Sequence, residues 1–354
     1  MAATASKVLI TGSASFVGFR TLVATLEAGY RVLGAVPQRE DADHILSTPS
    51  IKRMGDLGGN LTFITVPDIA ADRSLAEAVK RDVEYIIHTD SPMTVNSTVT
   101  ADRYDSQIIQ PLLKGTNNVL SAALGNPSIK RVVMTSSLMA IAPYNELFEL
   151  ESFTTFNDAS PAQNSNPPYR NTVEALCAGK ARALAATNMF LTKNKPHFTV
   201  INLMPGLVIG HDELAKTWRD LNKGSNQQSL RHLRGDKVPT KLPSQTVFVD
   251  DVAKVHALAL NTKKVATTQN FLLSSSANIG SPWYRTLEIV KKEYADQVKK
   301  GWLSLDGEQP INRVMIDDGK TKKVFNINFA GFDKQIRSLL DQYVLLKTKE
   351  EKGN

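Results

Sequence analysis

Thr11-Gly12-Ser13-Ala14-Ser15-Phe16-Val17-Gly18 is the first stretch of this chain whose residue types and spacing could do chemistry. It joins a β-branched run, Lys7–Thr11, to a helical pattern that starts at Phe16. A glycine-containing turn between a strand and a helix N-terminus suits a pyrophosphate. Backbone N–H groups and the positive end of the helix dipole face the anion, and missing side chains let it approach. Thr11, Gly12, Ser15, Phe16, Val17 and Gly18 are therefore candidate dinucleotide contacts, with the Ser15 hydroxyl a further donor to a phosphate. The next strand ends Ala35-Val36-Pro37-Gln38-Arg39-Glu40. An acid at such a strand end reads the ribose hydroxyl of NAD, whereas an arginine reads the 2′-phosphate of NADP. No acid lies at 35–37 and Arg39 follows closely, so the expected cofactor is NADP and not NAD.

Other reactive types point to less. The single cysteine, Cys177, permits no intrachain disulfide and reads as small core packing. His211 and His256 have no metal-ligand spacing with acids, so no metal is expected. The 354 residues carry a formal net charge of +7, but the basic residues are dispersed among acids, as around Lys291-Lys292 and Lys299-Lys300. Without a dense basic block interleaved with aromatics, nucleic acid is not an expected partner. The N-terminus lacks an apolar signal core and no uncharged run reaches membrane-spanning length, which makes the cytoplasm the expected location.

These residues need a scaffold, and the periodicity supplies one. Strand-like runs at Lys7–Thr11, Tyr30–Val36, Leu61–Val66, Val83–His88, Arg131–Thr135 and Phe198–Leu203 alternate with helical patterns at about 73–81, 103–123 and 173–191. That alternation implies an α/β fold with a Rossmann-type, doubly wound parallel sheet. A smaller C-terminal substrate lobe follows. The expected division is 1–204 for the dinucleotide-binding domain, 205–346 for the lobe with segments returning to the first domain, and 347–354 for a charged, fraying tail. Gly224–Gln245 reads as a loop or lobe segment, Gln245–Asp250 as a short strand followed by a helix to Leu260, and further helices are expected near 282–295 and 331–347.

Several words of the chain, in this order, resemble the extended short-chain dehydrogenase/reductases of the epimerase/dehydratase superfamily. They include Tyr85-Ile86-Ile87-His88-Thr89-Asp90-Ser91-Pro92, Lys114-Gly115-Thr116-Asn117-Asn118-Val119-Leu120, Arg131–Ser137, Met204–Gly210 and Val249–His256. The nearest resemblance is to the group of fungal aldehyde and methylglyoxal reductases, dihydroflavonol reductases and cinnamoyl-CoA reductases. It implies that Ser137 hydrogen-bonds a substrate carbonyl, that Lys180 holds the nicotinamide ribose, and that Asp68, with Ile69, lies against the adenine. It also implies a strand-end place for His88 beside the cofactor, and a homodimer built on the helices near 103–123 and 173–191.

The chain departs from the family where the chemistry should be. The tyrosine of the Tyr-x-x-x-Lys helix is replaced by Leu176, which cannot exchange a proton, and Ser15 replaces the middle glycine of Gly-x-x-Gly-x-x-Gly. Ser15 would cost little in a helical backbone but roughly 1–2 kcal/mol at positive φ. Pro37 stands where relatives often carry an arginine, and Asp90 replaces an alanine beside the cofactor. Three functions follow. One is NADP(H)-dependent reduction of an aldehyde or ketone with a displaced proton donor, for which Tyr144 and Tyr169 are candidates. Another is a redox-silent lyase, isomerase or cyclase with Asp90 as base, Ser137 as donor and Lys180 as electrostatic partner. The third is a catalytically inactive protein that binds a nucleotide or metabolite.

Overall fold

The computed structural model describes residues 5–89, 99–276 and 280–353. Seven strands form one sheet: β1 (Lys7–Thr11), β2 (Arg31–Val36), β3 (Leu61–Thr65), β4 (Tyr85–His88), β5 (Arg131–Thr135), β6 (Thr199–Pro205) and β7 (Gln269–Leu273). Their order is β7-β6-β5-β4-β1-β2-β3, and every pairing is parallel. Successive side chains on a strand face opposite ways. Val8 and Ile10 accordingly join one apolar layer with Val32, Ile87 and Val133, while Leu9 joins the other with Leu33, Ile86 and Val132. Helices α1 (Phe16–Glu27) and α6 (Val249–Ala259) cover the first layer through Phe19, Leu22, Val252 and Val255. On the other face, α3 (Gln110–Leu124) and α4 (Thr172–Asn194) pack against each other; α3 contributes Val119, Leu120 and Ala123. Between these lie α2 (Arg39–Ser47), directly after β2, and α5 (Gly224–Leu233), after β6.

The lobe has its own core. Helix α7 (Arg285–Glu293) supplies Ile289 and Val290. The last helix, α8 (Phe332–Gly353), supplies Phe332, Ile336, Leu339, Leu340 and Tyr343, an i, i+3, i+4 stripe. No helix among the described residues is long and apolar enough to cross a membrane.

Four segments differ from their sequence reading. Residues 73–81 form turns, because the backbone passes through the left-handed region at Arg73 (φ 56°) and Asp82 (φ 59°), although Leu75, Ala78 and Val79 still bury. Gly224–Gln245 contains α5, whose Leu230 and Leu233 enter the lobe core. The tail does not fray: α8 runs to Gly353, held by Trp218, whose Nε1 donates to Glu350 at 2.6 Å, and by Lys347 over the Trp218 ring at 4.3 Å. The helix expected from 103 starts as a 3₁₀ turn at Ala101–Arg103 and a π-turn at Asp105–Ile109 before α3 begins. Pro111 has no N–H to give to a regular ladder there.

Candidate active site

The strand order reverses between β1 and β4, and open α/β sheets bind ligands beyond the carboxyl ends of strands at such a switch point. Thr11 ends β1 beside His88, which ends β4, and His88 in turn pairs with Met134 of β5. The register alone therefore brings together the glycine turn, His88 and the Thr135-Ser136-Ser137 strand end.

Gly12 has φ 70°, where a side chain would be strained. A Cβ on Gly18 would stand 1.9 Å from the Gly12 carbonyl oxygen and 2.6 Å from Thr89 Oγ1, so this glycine lets α1 seat against the turn. Gly18→Ala is expected to cost roughly 1–3 kcal/mol by overpacking; thermal denaturation reads it, and an unchanged Tm would mean that the helix can slide aside. Ser15 is extended (φ −104°), neither helical nor left-handed, so it carries no backbone penalty. It is the N-cap of α1: its hydroxyl donates to Gly12 O at 2.8 Å and accepts from Gly18 N–H at 3.2 Å. The first turn of α1 leaves the N–H groups of Phe16 and Val17 directed out of the helix end.

Around this turn, Arg39 is exposed at the start of α2, just past the end of β2. The Asp68–Ala71 turn is tied down by Asn118 of α3, whose amide donates to the Ile69 and Ala71 carbonyls at 2.8 and 2.7 Å. Ile69 is buried against Gly115, and Asp68 is exposed.

His88 is buried, and its Nδ1 lies 2.7 Å from Thr11 Oγ1. Burial, with a smaller contribution from the Lys180 cation, pushes its pKa down to about 3, so the ring is neutral. Lys180 on α4 shares with His88, Leu112, Thr116, Ser136 and Asn202 a cavity of about 30 Å³. Ser137 is the next residue along. It is extended and accepts from Met139 N–H at 3.2 Å, which leaves its own O–H for another acceptor. Asp90 lies outside the described residues.

Leu176 is one turn before Lys180 on the same face of α4. It is buried in an apolar cluster with Val99, Tyr104, Ile108 and Leu112. Neither tyrosine proposed as a substitute donor joins Lys180. Tyr144 lines a separate cleft of about 370 Å³ with Asn145, Glu149, Gln163 and Arg170. Its ring stacks with Phe148 (5.1 Å) and carries the Arg170 guanidinium over it (4.7 Å), and its hydroxyl accepts from Asn171 at 2.8 Å. Tyr169 packs against the Leu176 cluster, donates its hydroxyl to the Ser165 carbonyl at 3.5 Å and accepts from Arg182 at 2.9 Å. Cys177 is buried, and burial pushes its thiol up to about 12, so it is no nucleophile. His256 is likewise internal, 2.7 Å from Thr135 Oγ1 and 2.8 Å from the Val252 carbonyl. Tyr104, in the Leu176 cluster, is not among the sequence candidates, because no spacing along the chain relates it to Lys180.

A seven-stranded parallel sheet with this strand order and a glycine turn at its switch point defines a Rossmann-type fold of the extended short-chain dehydrogenase/reductase kind. The chain belongs to the 3-beta hydroxysteroid dehydrogenase/isomerase family, whose model matches residues 9–276. It is 33% identical over 350 residues to "Ketoreductase CTB6" of Cercospora nicotianae, covering 98% of this chain and 97% of that one. It is 32% identical to "NAD-dependent epimerase/dehydratase ALT6" of Alternaria alternata, covering 94% and 96%. Among solved structures it resembles yeast methylglyoxal/isovaleraldehyde reductase Gre2 complexed with NADPH, with a TM-score of 0.79, 22% identity, and coverage of 97% and 99%.

Proposed function

We propose that this protein is an NADP(H)-dependent reductase of a small aldehyde or ketone, or of a carbonyl group on a secondary metabolite, working without a tyrosine at the usual place. One observation carries the reading: the glycine turn at the N-terminus of α1 faces the same sheet end as Lys180 and the Ser136-Ser137 strand end. The similarity to a ketoreductase along nearly the whole chain supports it.

The residues fit a dinucleotide. Gly12 and Gly18 keep the turn free of side chains, and the N–H groups of Phe16 and Val17 suit a pyrophosphate. Thr11 lies beneath the turn, and Ser15 shapes it by capping α1. Asp68 and Ile69 would border the adenine end, Arg39 at the start of α2 would meet the 2′-phosphate, and Lys180 would hold the ribose near His88. Bound there, the dinucleotide supplies hydride. Ser137 directs its O–H to the carbonyl oxygen.

Calorimetric or fluorescence titration of the purified protein with NADPH and NADH tests this. NADPH is expected to bind more tightly, and no binding of either up to millimolar concentration overturns the reading. Arg39→Ala is expected to weaken NADPH about tenfold, roughly 1.4 kcal/mol, and to leave NADH unchanged. Equal losses for both would remove Arg39 as the phosphate reader.

The burial of Leu176 favours a second reading, in which the site runs redox-silent lyase or isomerase chemistry with Asp90 as base and Ser137 and Lys180 in support. Turnover without consumption of NADPH, abolished by Asp90→Asn, would select it. Binding of NADPH without turnover on a panel of aldehydes and ketones would instead mark a nucleotide-binding protein without activity.

A further inference from the structure

We infer that Tyr104 is the proton donor that replaces the missing tyrosine; this rests on the reductase reading above. Two segments run side by side in the same direction here. Gly179, the residue before Lys180, is the point of closest approach: a Cβ on it would stand 2.7 Å from Leu112 Cδ1 and 3.6 Å from Ile109 Cα. One turn further on, Thr116 and Ala183 line the Lys180 cavity together. One turn back, the same register sets Tyr104 and Ile108 against Ala175 and Leu176, and these four share one buried cluster. A phenol thus enters from the neighbouring segment at the position along α4 where the helix itself carries only leucine.

Two further observations single out this tyrosine. Tyr104 immediately precedes the π-turn Asp105–Ile109. Such turns rotate the preceding residues relative to a regular helix and recur at functional sites. In addition, Tyr144 lies in a separate cleft, and Tyr169, which packs against the same cluster, donates its hydroxyl to the Ser165 carbonyl at 3.5 Å, whereas the Tyr104 hydroxyl has no hydrogen-bond partner among the described residues.

In the reaction, the carbonyl carbon takes hydride, with its electron pair, from the reduced dinucleotide, and the C=O π bond opens. The Tyr104 O–H proton passes to the carbonyl oxygen and completes the alcohol. A bound reduced dinucleotide would supply the two electrons and be oxidised, and the tyrosinate recovers its proton from water.

Tyr104→Phe keeps the ring and removes only the hydroxyl. It is expected to lower kcat for carbonyl reduction about 10²–10⁴-fold while Tm and the Kd for NADPH stay unchanged. Adding Leu176→Tyr is expected to raise activity at least tenfold in the Tyr104→Phe background and little in the wild type, whereas a merely structural Tyr104 would give the same gain in both. A readout independent of activity is ¹⁹F NMR of fluorotyrosine-labelled protein without cofactor. The resonance lost in Tyr104→Phe should move in Lys180→Met, showing that the phenol and the ammonium share one electrostatic site. A wild-type enzyme that reduces carbonyls with Tyr104→Phe equally active, or a resonance indifferent to Lys180→Met, overturns the assignment alone. A wild-type protein that oxidises no NADPH with any carbonyl overturns the reductase reading along with it.

Discussion

Arg131→Ala is expected to lower the free energy of unfolding by about 3–5 kcal/mol. Arg131 opens β5 and is fully buried, which pushes its pKa down; desolvation is the main cause. Its guanidinium donates to Thr199 Oγ1 on β6 at 2.9 Å, to the Ala259 carbonyl at 2.7 Å, and to the Val265 carbonyl. Ala259 is the last residue of α6, where a helix presents unpaired carbonyls and the negative end of its dipole. One side chain thus joins two central strands to the helix end and to the turn that leads into β7. Truncation leaves two buried carbonyls without donors and opens a cavity, and these costs add. Arg131→Lys is expected to recover only part of the loss, because one ammonium cannot copy the planar fork. Urea denaturation with the slope held constant measures it. A loss below 1 kcal/mol would mean that water or a neighbouring donor reaches those carbonyls.

Acidification is expected to destabilise the fold by a similar amount. Burial lowers the pKa of His88 to about 3 and those of His232 and His256 to about 4, and it lowers His211 as well. In the unfolded chain each histidine titrates near 6.5. Between that value and the folded pKa, the unfolded state binds more protons, so stability falls as pH falls. At pH 5, each of the three strongly shifted histidines contributes a loss of roughly 2 kcal/mol relative to pH 7. Asp212 acts in the opposite sense. Burial raises it to about 6, so between about 4 and 6 the folded state binds the extra proton and gains stability as pH falls. Asp251 and Asp318, also raised by burial, act in the same direction as Asp212. The histidines outweigh these carboxyls, and a net loss of roughly 4 kcal/mol is expected between pH 7 and pH 5. Denaturant titrations at the two pH values check this. Equal or greater stability at pH 5 would show that the histidines protonate in place.

Much of the scaffold is legible in the sequence because its signals are local and repeated. The β-branched runs at Lys7–Thr11, Arg131–Thr135 and Phe198–Leu203 become central strands, and the pattern at 173–191 becomes α4, Thr172–Asn194. Local spacing misleads where distant contacts decide. Leu75, Ala78 and Val79 are spaced for a helix yet reach the core from turns. The charged end beyond Lys347 looks soluble and loose, yet it is ordered by Trp218, a residue far away in sequence.

The same division runs through the site. The sequence by itself determined the parallel α/β scaffold, the glycine turn, the serine pair and the lysine, because a strand-turn-helix and a strand end are built from adjacent residues. It also showed that Leu176 has no proton to give. Only the tertiary structure brings tyrosines to that position, with Tyr104 inside the Leu176 cluster and Tyr169 packed against it. Tyr144 and Tyr169 are nearer in sequence, but Tyr144 lines a separate cleft and Tyr169 turns its hydroxyl to the Ser165 carbonyl. Tyr104 comes opposite Leu176 because Gly179 lets two segments approach closely and the π-turn sets the phase of the residue before it. Helix contact and helix phase are properties of packing, and no spacing within one segment encodes them.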